Sequence, residues 1–112
     1  MHYFEKDNMT IEHNPDKLTS MSVCFNRRDD GKIVRDYPIF KYNEYFYSVR
    51  KKYGTSEYFY LNIKELAREI LGNYGRYDIY IDFGFLDLLD KESVEYYDRF
   101  QELIEEGKIQ IR

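Results

Sequence analysis

The chain has 112 residues, of which 43% are hydrophobic and 19% aromatic, and its formal net charge is −4. This length and composition predict one small domain with its own core. The single cysteine excludes an internal disulfide, and no apolar run approaches the ~20 residues that a membrane-spanning helix needs. Because neither end carries an apolar signal region, we expect a cytoplasmic protein that binds no membrane.

Residues 1–19 show no sustained hydrophobic period and are rich in polar and turn-forming residues. We expect them to form a loosely ordered N-terminal arm, followed by a single domain over residues 20–112. In this domain Met21, Val23 and Phe25 alternate with polar residues, as in a strand, and Asp30-Gly31 marks a turn into a second strand. Because proline donates no ladder hydrogen bond, Pro38 places the end of that strand nearby or puts the strand at a sheet edge.

The next segment has aromatic and aliphatic residues at helical spacing. Asn43 is a suitable N-cap and Gly54 a suitable terminator, so the segment predicts a helix over about residues 43–53. A short extended stretch is predicted after it, over residues 57–61. The spaced residues are Tyr42, Tyr45, Phe46, Val49 and Tyr53. A second helix is predicted from the capping pair Asn62 and Glu65 to Gly72.

Residues 77–83 alternate between apolar and polar side chains and predict a strand with one wet face. Asp90 is expected to cap a third helix of about fifteen residues that ends at Gly107, before a final strand over residues 108–112. The inward stripe of this helix is Tyr97, Phe100 and Ile104. This order predicts an α+β domain, with a mainly antiparallel sheet of about four strands and three helices packed on one face.

The charges are separated along the chain. Between Asp78 and Glu106 ten acids stand against two bases, a net charge of −8, whereas residues 27–52 carry eight bases and four acids, a net charge of +4. This separation of charge is compatible with two different functions, one for each charged segment. The acidic segment can recognise a basic partner, or the basic segment can bind nucleic acid.

The third predicted helix carries the strongest candidate site, because its solvent face is almost entirely acidic. Like charges three or four residues apart repel, and local bases do not offset that cost here. Such a face presents carboxylates to a basic, nucleic-acid-handling protein as phosphates would. The alternative is a solvated face countered by the basic segment. The predicted partner-binding residues are Asp87, Asp90, Glu92, Glu95, Asp98, Glu102, Glu105 and Glu106.

The basic segment carries the alternative site, a small nucleic-acid-binding module. Its cations would hold phosphates while interleaved aromatic residues stack on bases. The acidic isoelectric point of about 5.2 counts against this reading. The cations are Arg27, Arg28, Lys32, Arg50, Lys51 and Lys52, and the aromatic residues are Tyr37, Phe40, Tyr42 and Tyr47.

Catalytic and metal-binding patterns are weak. His2 and His13 fall in the predicted arm, and Cys24 has no nearby histidine that would activate it. The spacing of four aspartates, Asp78, Asp82, Asp87 and Asp90, matches no calcium loop. We therefore expect no enzymatic activity, no metal site and no cofactor.

In size, charge and lack of catalytic groups, the chain resembles the small inhibitors carried by phages and mobile elements, such as anti-CRISPR and anti-restriction proteins. The resemblance is one of general character and rests on no motif, so it assigns no residue roles. It implies a protein that binds a basic, nucleic-acid-handling protein and inhibits or regulates it.

Overall fold

The computed structural model describes residues 2–6, 8–51, 54–55 and 58–112, without the side chains of residues 2, 6 and 51. These residues form a small α+β domain, as predicted, with three helices. The sheet is larger than the four strands predicted, since six strands form one sheet and two more form a hairpin. The elements are β1 (His2–Lys6), β2 (Met9–His13), β3 (Leu18–Asn26), β4 (Ile33–Tyr42), β5 (Tyr45–Lys51), β6 (Tyr58–Asn62), α1 (Ile63–Leu71), β7 (Asp78–Ile81), α2 (Phe83–Glu92), α3 (Val94–Glu105) and β8 (Gln110–Ile111).

The main sheet has the strand order β6-β5-β4-β3-β7-β8 and is antiparallel except between β7 and β8. The predicted first hairpin is confirmed as β3 and β4, with Gly31 at a φ of 71° in the turn. The expectation that Pro38 ends its strand or lies at an edge is wrong, because β4 continues to Tyr42 and lies between β3 and β5. Pro38 is tolerated opposite Ser22, beside a register shift in the β3–β4 ladder.

The helix predicted over residues 43–53 is also wrong in the part that the structure describes. Residues 45–51 form β5, and Asn43, with a φ of 53°, lies in the turn between β4 and β5. The error has a physical cause, since three consecutive residues of this strand, Tyr47, Ser48 and Val49, are buried. A strand covered on both faces shows no alternation that would distinguish it from a helix.

The N-terminal segment contains two strands where the sequence analysis predicted none. β1 and β2 form an antiparallel hairpin that packs on β4 and β5 through Ile11, which is fully buried, and His13, which is 5% exposed. Phe40 and Tyr47 lie in the same cluster around these two residues. The hairpin thus covers the sheet face opposite the helices. The division into an arm over residues 1–19 and a domain over residues 20–112 remains a prediction.

The second predicted helix and the following strand are confirmed as α1 and β7. Both capping bonds are present, because Glu65 N donates to Asn62 Oδ1 at 2.8 Å and Asn62 N donates to Glu65 Oε1 at 3.1 Å. The three helices share one hydrophobic core with the inner face of the sheet, in which Val23, Ile39 and Ile81 are fully buried.

The long C-terminal helix predicted from Asp90 is two helices. Ser93, extended at a φ of −162°, separates α2 from α3, and Asp90 lies inside α2 rather than at its cap. Neither glycine nor proline stands at this break, so the sequence gives little signal for it. The predicted inward stripe is otherwise correct, since Phe100 is fully buried and Tyr97 and Ile104 pack against the core.

Candidate protein-binding face

The rotation of α3 about its axis is fixed by its buried residues. Phe100 and Leu103 are fully buried, and the ring of Phe100 lies 6.1 Å from the ring of Phe85 on α2. These contacts turn one side of α3 into the core and leave the opposite side exposed to solvent. The positions of the apolar residues along α3 therefore determine which of its side chains face solvent.

Four acids share the exposed side of α3. At about 100° per residue, Glu95, Asp98, Glu102 and Glu105 fall within an arc of about 80° that is centred opposite Phe100. All four are exposed. We call these four residues the α3 acidic face.

The other predicted partner-binding residues surround this face without belonging to it. Asp87 and Asp90 are exposed on α2, Glu92 is the last residue of α2, and Glu106 caps the C-terminus of α3. The break at Ser93 thus distributes the predicted residues over two helices. All eight are solvent-accessible.

Most of this acidic charge has no local counterion. Arg99 Nη1 donates to Glu102 Oε2 at 2.9 Å, and this bond raises the pKa of Arg99. Lys108 Nζ lies 3.2 Å from Glu106 Oε2. In the described ranges, no basic group lies within 4.0 Å of Glu95, Asp98 or Glu105. Three of the four carboxylates of the α3 acidic face therefore have no counterion among the described residues.

A polar cleft of about 510 Å³ lies at the base of α1 and reaches Glu92. Arg68 lines it, and Arg68 Nε donates to the Tyr96 hydroxyl at 2.8 Å, which links α1 to α3. Sequence reasoning missed this cleft, because its walls come from four elements, β5, β6, α1 and α2. Its full lining is Tyr45, Phe46, Asn62, Ile63, Lys64, Glu65, Arg68 and Glu92.

The described cations of the alternative site, Arg27, Arg28, Lys32 and Arg50, do not form one group. Arg27 and Lys32 lie in the β3–β4 turn, where Arg27 Nε donates to Asp30 Oδ1 at 3.1 Å. Arg28 in the same turn donates from Nη1 and Nη2 to backbone carbonyls of the α1–β7 loop, both at 3.0 Å. Arg50 lies elsewhere, on β5. Lys52 and the side chain of Lys51 are outside the described residues.

The aromatic residues proposed to stack on bases are mostly inaccessible. Tyr37 is 1% exposed, Phe40 is 7% exposed and Tyr47 is fully buried, so these rings form part of the core. Tyr42 is partly exposed. Of the four aromatic residues predicted to stack on bases, three are therefore inaccessible, and only Tyr42 is partly open to solvent.

Two of the residues considered for catalysis, Cys24 and His13, are buried among other side chains. Cys24 is 4% exposed, its Sγ donates to Asp36 Oδ1 at 3.3 Å, and burial raises the pKa of its thiol. His13 lies in the aromatic cluster, with its Nδ1 3.0 Å from the Tyr47 hydroxyl. In the part of the chain that the structure describes, His, Cys, Asp and Glu side chains form no group of three or more that could hold a metal ion.

The comparisons with known proteins identify no function for this chain. No family model, curated protein or solved structure matches this chain. Among the described helices, none combines the length and the apolar character needed to cross a bilayer. The function is therefore argued from the charge, exposure and geometry of α2 and α3.

Proposed function

We propose that this protein is a non-enzymatic, cytoplasmic interaction protein whose acidic helices bind a basic, nucleic-acid-handling protein and inhibit or regulate it. The observation that carries the proposal is the α3 acidic face, where four carboxylates share one exposed strip and only Glu102 is paired with a described base. Asp87, Asp90, Glu92 and Glu106 extend the negative surface around it.

The like charges of the α3 acidic face destabilise the helix, and folding alone does not require them to be placed together. Glu95 and Asp98 are three residues apart, as are Glu102 and Glu105, and each such pair of like charges destabilises a helix by about 0.2–0.5 kcal/mol. A surface selected only for solubility would mix acids with bases on this strip. A basic partner would convert this repulsion into attraction on binding.

The geometry suits a partner built to hold phosphates. The α3 acidic face runs from Glu95 to Glu105, about 15 Å at ~1.5 Å per residue. Proteins that handle nucleic acid line their binding surfaces with lysine and arginine, which neutralise a dense row of backbone charges. A strip of carboxylates on a rigid helix competes for those cations and blocks the surface that nucleic acid would occupy.

Charge reversal tests the proposal. The double variant Glu95→Lys/Glu105→Lys changes both ends of the face, at two residues without a described counterion, and raises the formal net charge from −4 to 0. The matched control Glu5→Lys/Glu44→Lys makes the same change in charge at exposed acids away from α3. We expect the first variant to lose the partner and the control to retain it.

The partner is identified with tagged protein incubated in a bacterial lysate, with and without nuclease, followed by mass spectrometry. Stoichiometric capture of a basic, nucleic-acid-handling protein that survives nuclease and is lost with Glu95→Lys/Glu105→Lys supports the proposal. Capture that disappears with nuclease, or that both charge variants retain equally, contradicts it.

A further inference from the structure

A small cleft beside α1 contains Arg50, which has no anionic partner among the described residues. The cleft encloses about 130 Å³, and its walls come from β4, β5, β6 and α1. It contains no residue of the α3 acidic face. Its lining residues are Tyr37, Arg50, Phe59, Leu61 and Glu69.

Two aromatic rings hold the guanidinium of Arg50 in place. Its Cζ lies 6.0 Å from the ring centroid of Tyr37 and 5.4 Å from that of Phe59. Tyr37 is 1% exposed and forms the floor, whereas Phe59, 44% exposed, forms an outer wall. Arg50 itself is partly buried. Cation–π contacts of this kind orient a guanidinium but supply no negative charge.

The described residues do not balance the charge around Arg50. Among them, the only carboxylate that lines the cleft belongs to Glu69, and its Oε2 lies 3.6 Å from Nη1 of a second arginine, Arg35. No carboxylate of the described residues lies within 4.0 Å of the Arg50 guanidinium. Arg35, Arg50 and Glu69 together carry a net charge of +1, counted over the described residues around the cleft. A cation that loses part of its contact with water, as Arg50 does, normally has an anionic partner.

We propose that the Arg50 cleft binds a small oxyanion, such as inorganic phosphate or a carboxylate group. A guanidinium presents its N–H donors in a planar fork that matches two oxygens of such an anion. The cleft volume of about 130 Å³ exceeds the ~30 Å³ that one water occupies in the liquid, so a group of several heavy atoms fits. The bound anion neutralises the excess charge, and the site is independent of the proposed partner-binding face.

The test is a titration of ¹⁵N-labelled protein with inorganic phosphate and, separately, with acetate, at constant ionic strength. We expect saturable amide shifts centred on Arg50 and Phe59. Arg50→Gln should weaken binding at least about tenfold, as expected for the loss of a charged hydrogen-bond donor. The control Lys32→Gln removes an exposed cation from a distant turn and should leave the affinity unchanged.

A second variant keeps the test valid if Arg50→Gln does not fold. Glu69→Gln removes the carboxylate from the cleft and raises the local charge from +1 to +2, so it should tighten anion binding several-fold. Saturation by phosphate alone or by acetate alone supports the site and identifies the anion class. Wild-type protein without saturable shifts, or a Glu69→Gln affinity no tighter than wild type, overturns the inference.

Discussion

Glu105→Lys is predicted to make the protein more stable. Glu105 lies in the last turn of α3, three residues after Glu102, and that turn contains no basic residue. Its carboxylate is therefore repelled both by Glu102 and by the negative end of the helix dipole. A lysine at this position reverses both interactions.

The size of the effect follows from these two contributions. Exchanging repulsion from Glu102 for attraction is worth about 0.5 kcal/mol. Placing a cation rather than an anion at the helix C-terminus adds about 0.5–1 kcal/mol. We expect the free energy of unfolding to rise by about 1 kcal/mol at low ionic strength, which raises Tm by about 4 °C in a chain of this length.

Urea unfolding followed by circular dichroism, in 20 mM and in 500 mM NaCl, measures this effect. The gain should fall to less than about half at the higher salt, where the Debye length is only a few ångströms. Glu44→Lys is the control. The Glu44 side chain is 96% exposed in a turn, with its Oε2 4.0 Å from Lys41 Nζ, so a lysine at this position should give no gain. An unchanged or lowered stability at low salt, or a gain that salt does not reduce, would refute the reasoning that the α3 acidic face is held at a cost.

Two further predictions concern stability alone. Asn62→Ala removes the side chain that accepts a hydrogen bond from Glu65 N at 2.8 Å. The free energy of unfolding, measured by urea titration, should therefore fall by about 1 kcal/mol. An unchanged free energy of unfolding would mean that the cap does not stabilise α1. In the β3–β4 turn, Arg27 and then the backbone N–H of Lys32 lower the pKa of Asp30 to about 2. The stability from this carboxylate is present above its unfolded pKa of about 3.9 and is lost as pH falls through about 2. Urea midpoints measured between pH 5 and pH 2 should therefore fall less steeply for Asp30→Asn, and parallel curves would contradict this assignment.

The elements that the sequence predicted correctly have local signals. α1 is bounded by the capping pair Asn62 and Glu65 and by Gly72, all within one short segment. β5 was missed because Tyr47 and Val49 are covered by the N-terminal hairpin while its other face meets the helix side of the sheet, so no alternation is visible. That covering depends on contacts between residues more than thirty positions apart, such as His13 and Tyr47.

Part of the candidate site could likewise be predicted from the sequence, and part could not. The exposure of the acids on α3 follows from helical spacing around Phe100, and the sequence therefore predicts it. The break at Ser93 and the Arg50 cleft depend on tertiary packing. Four elements supply the cleft, so no linear motif marks it.

The most direct test of the proposed function is the affinity of the captured basic protein for wild-type protein, for Glu95→Lys/Glu105→Lys and for Glu5→Lys/Glu44→Lys. Isothermal titration calorimetry at 50 mM and 200 mM salt measures all three. We predict that the α3 variant binds at least about a hundredfold more weakly, as expected when two charge pairs become repulsive, while the control keeps wild-type affinity. Wild-type affinity in the α3 variant would contradict the proposal that these acidic helices form the binding surface.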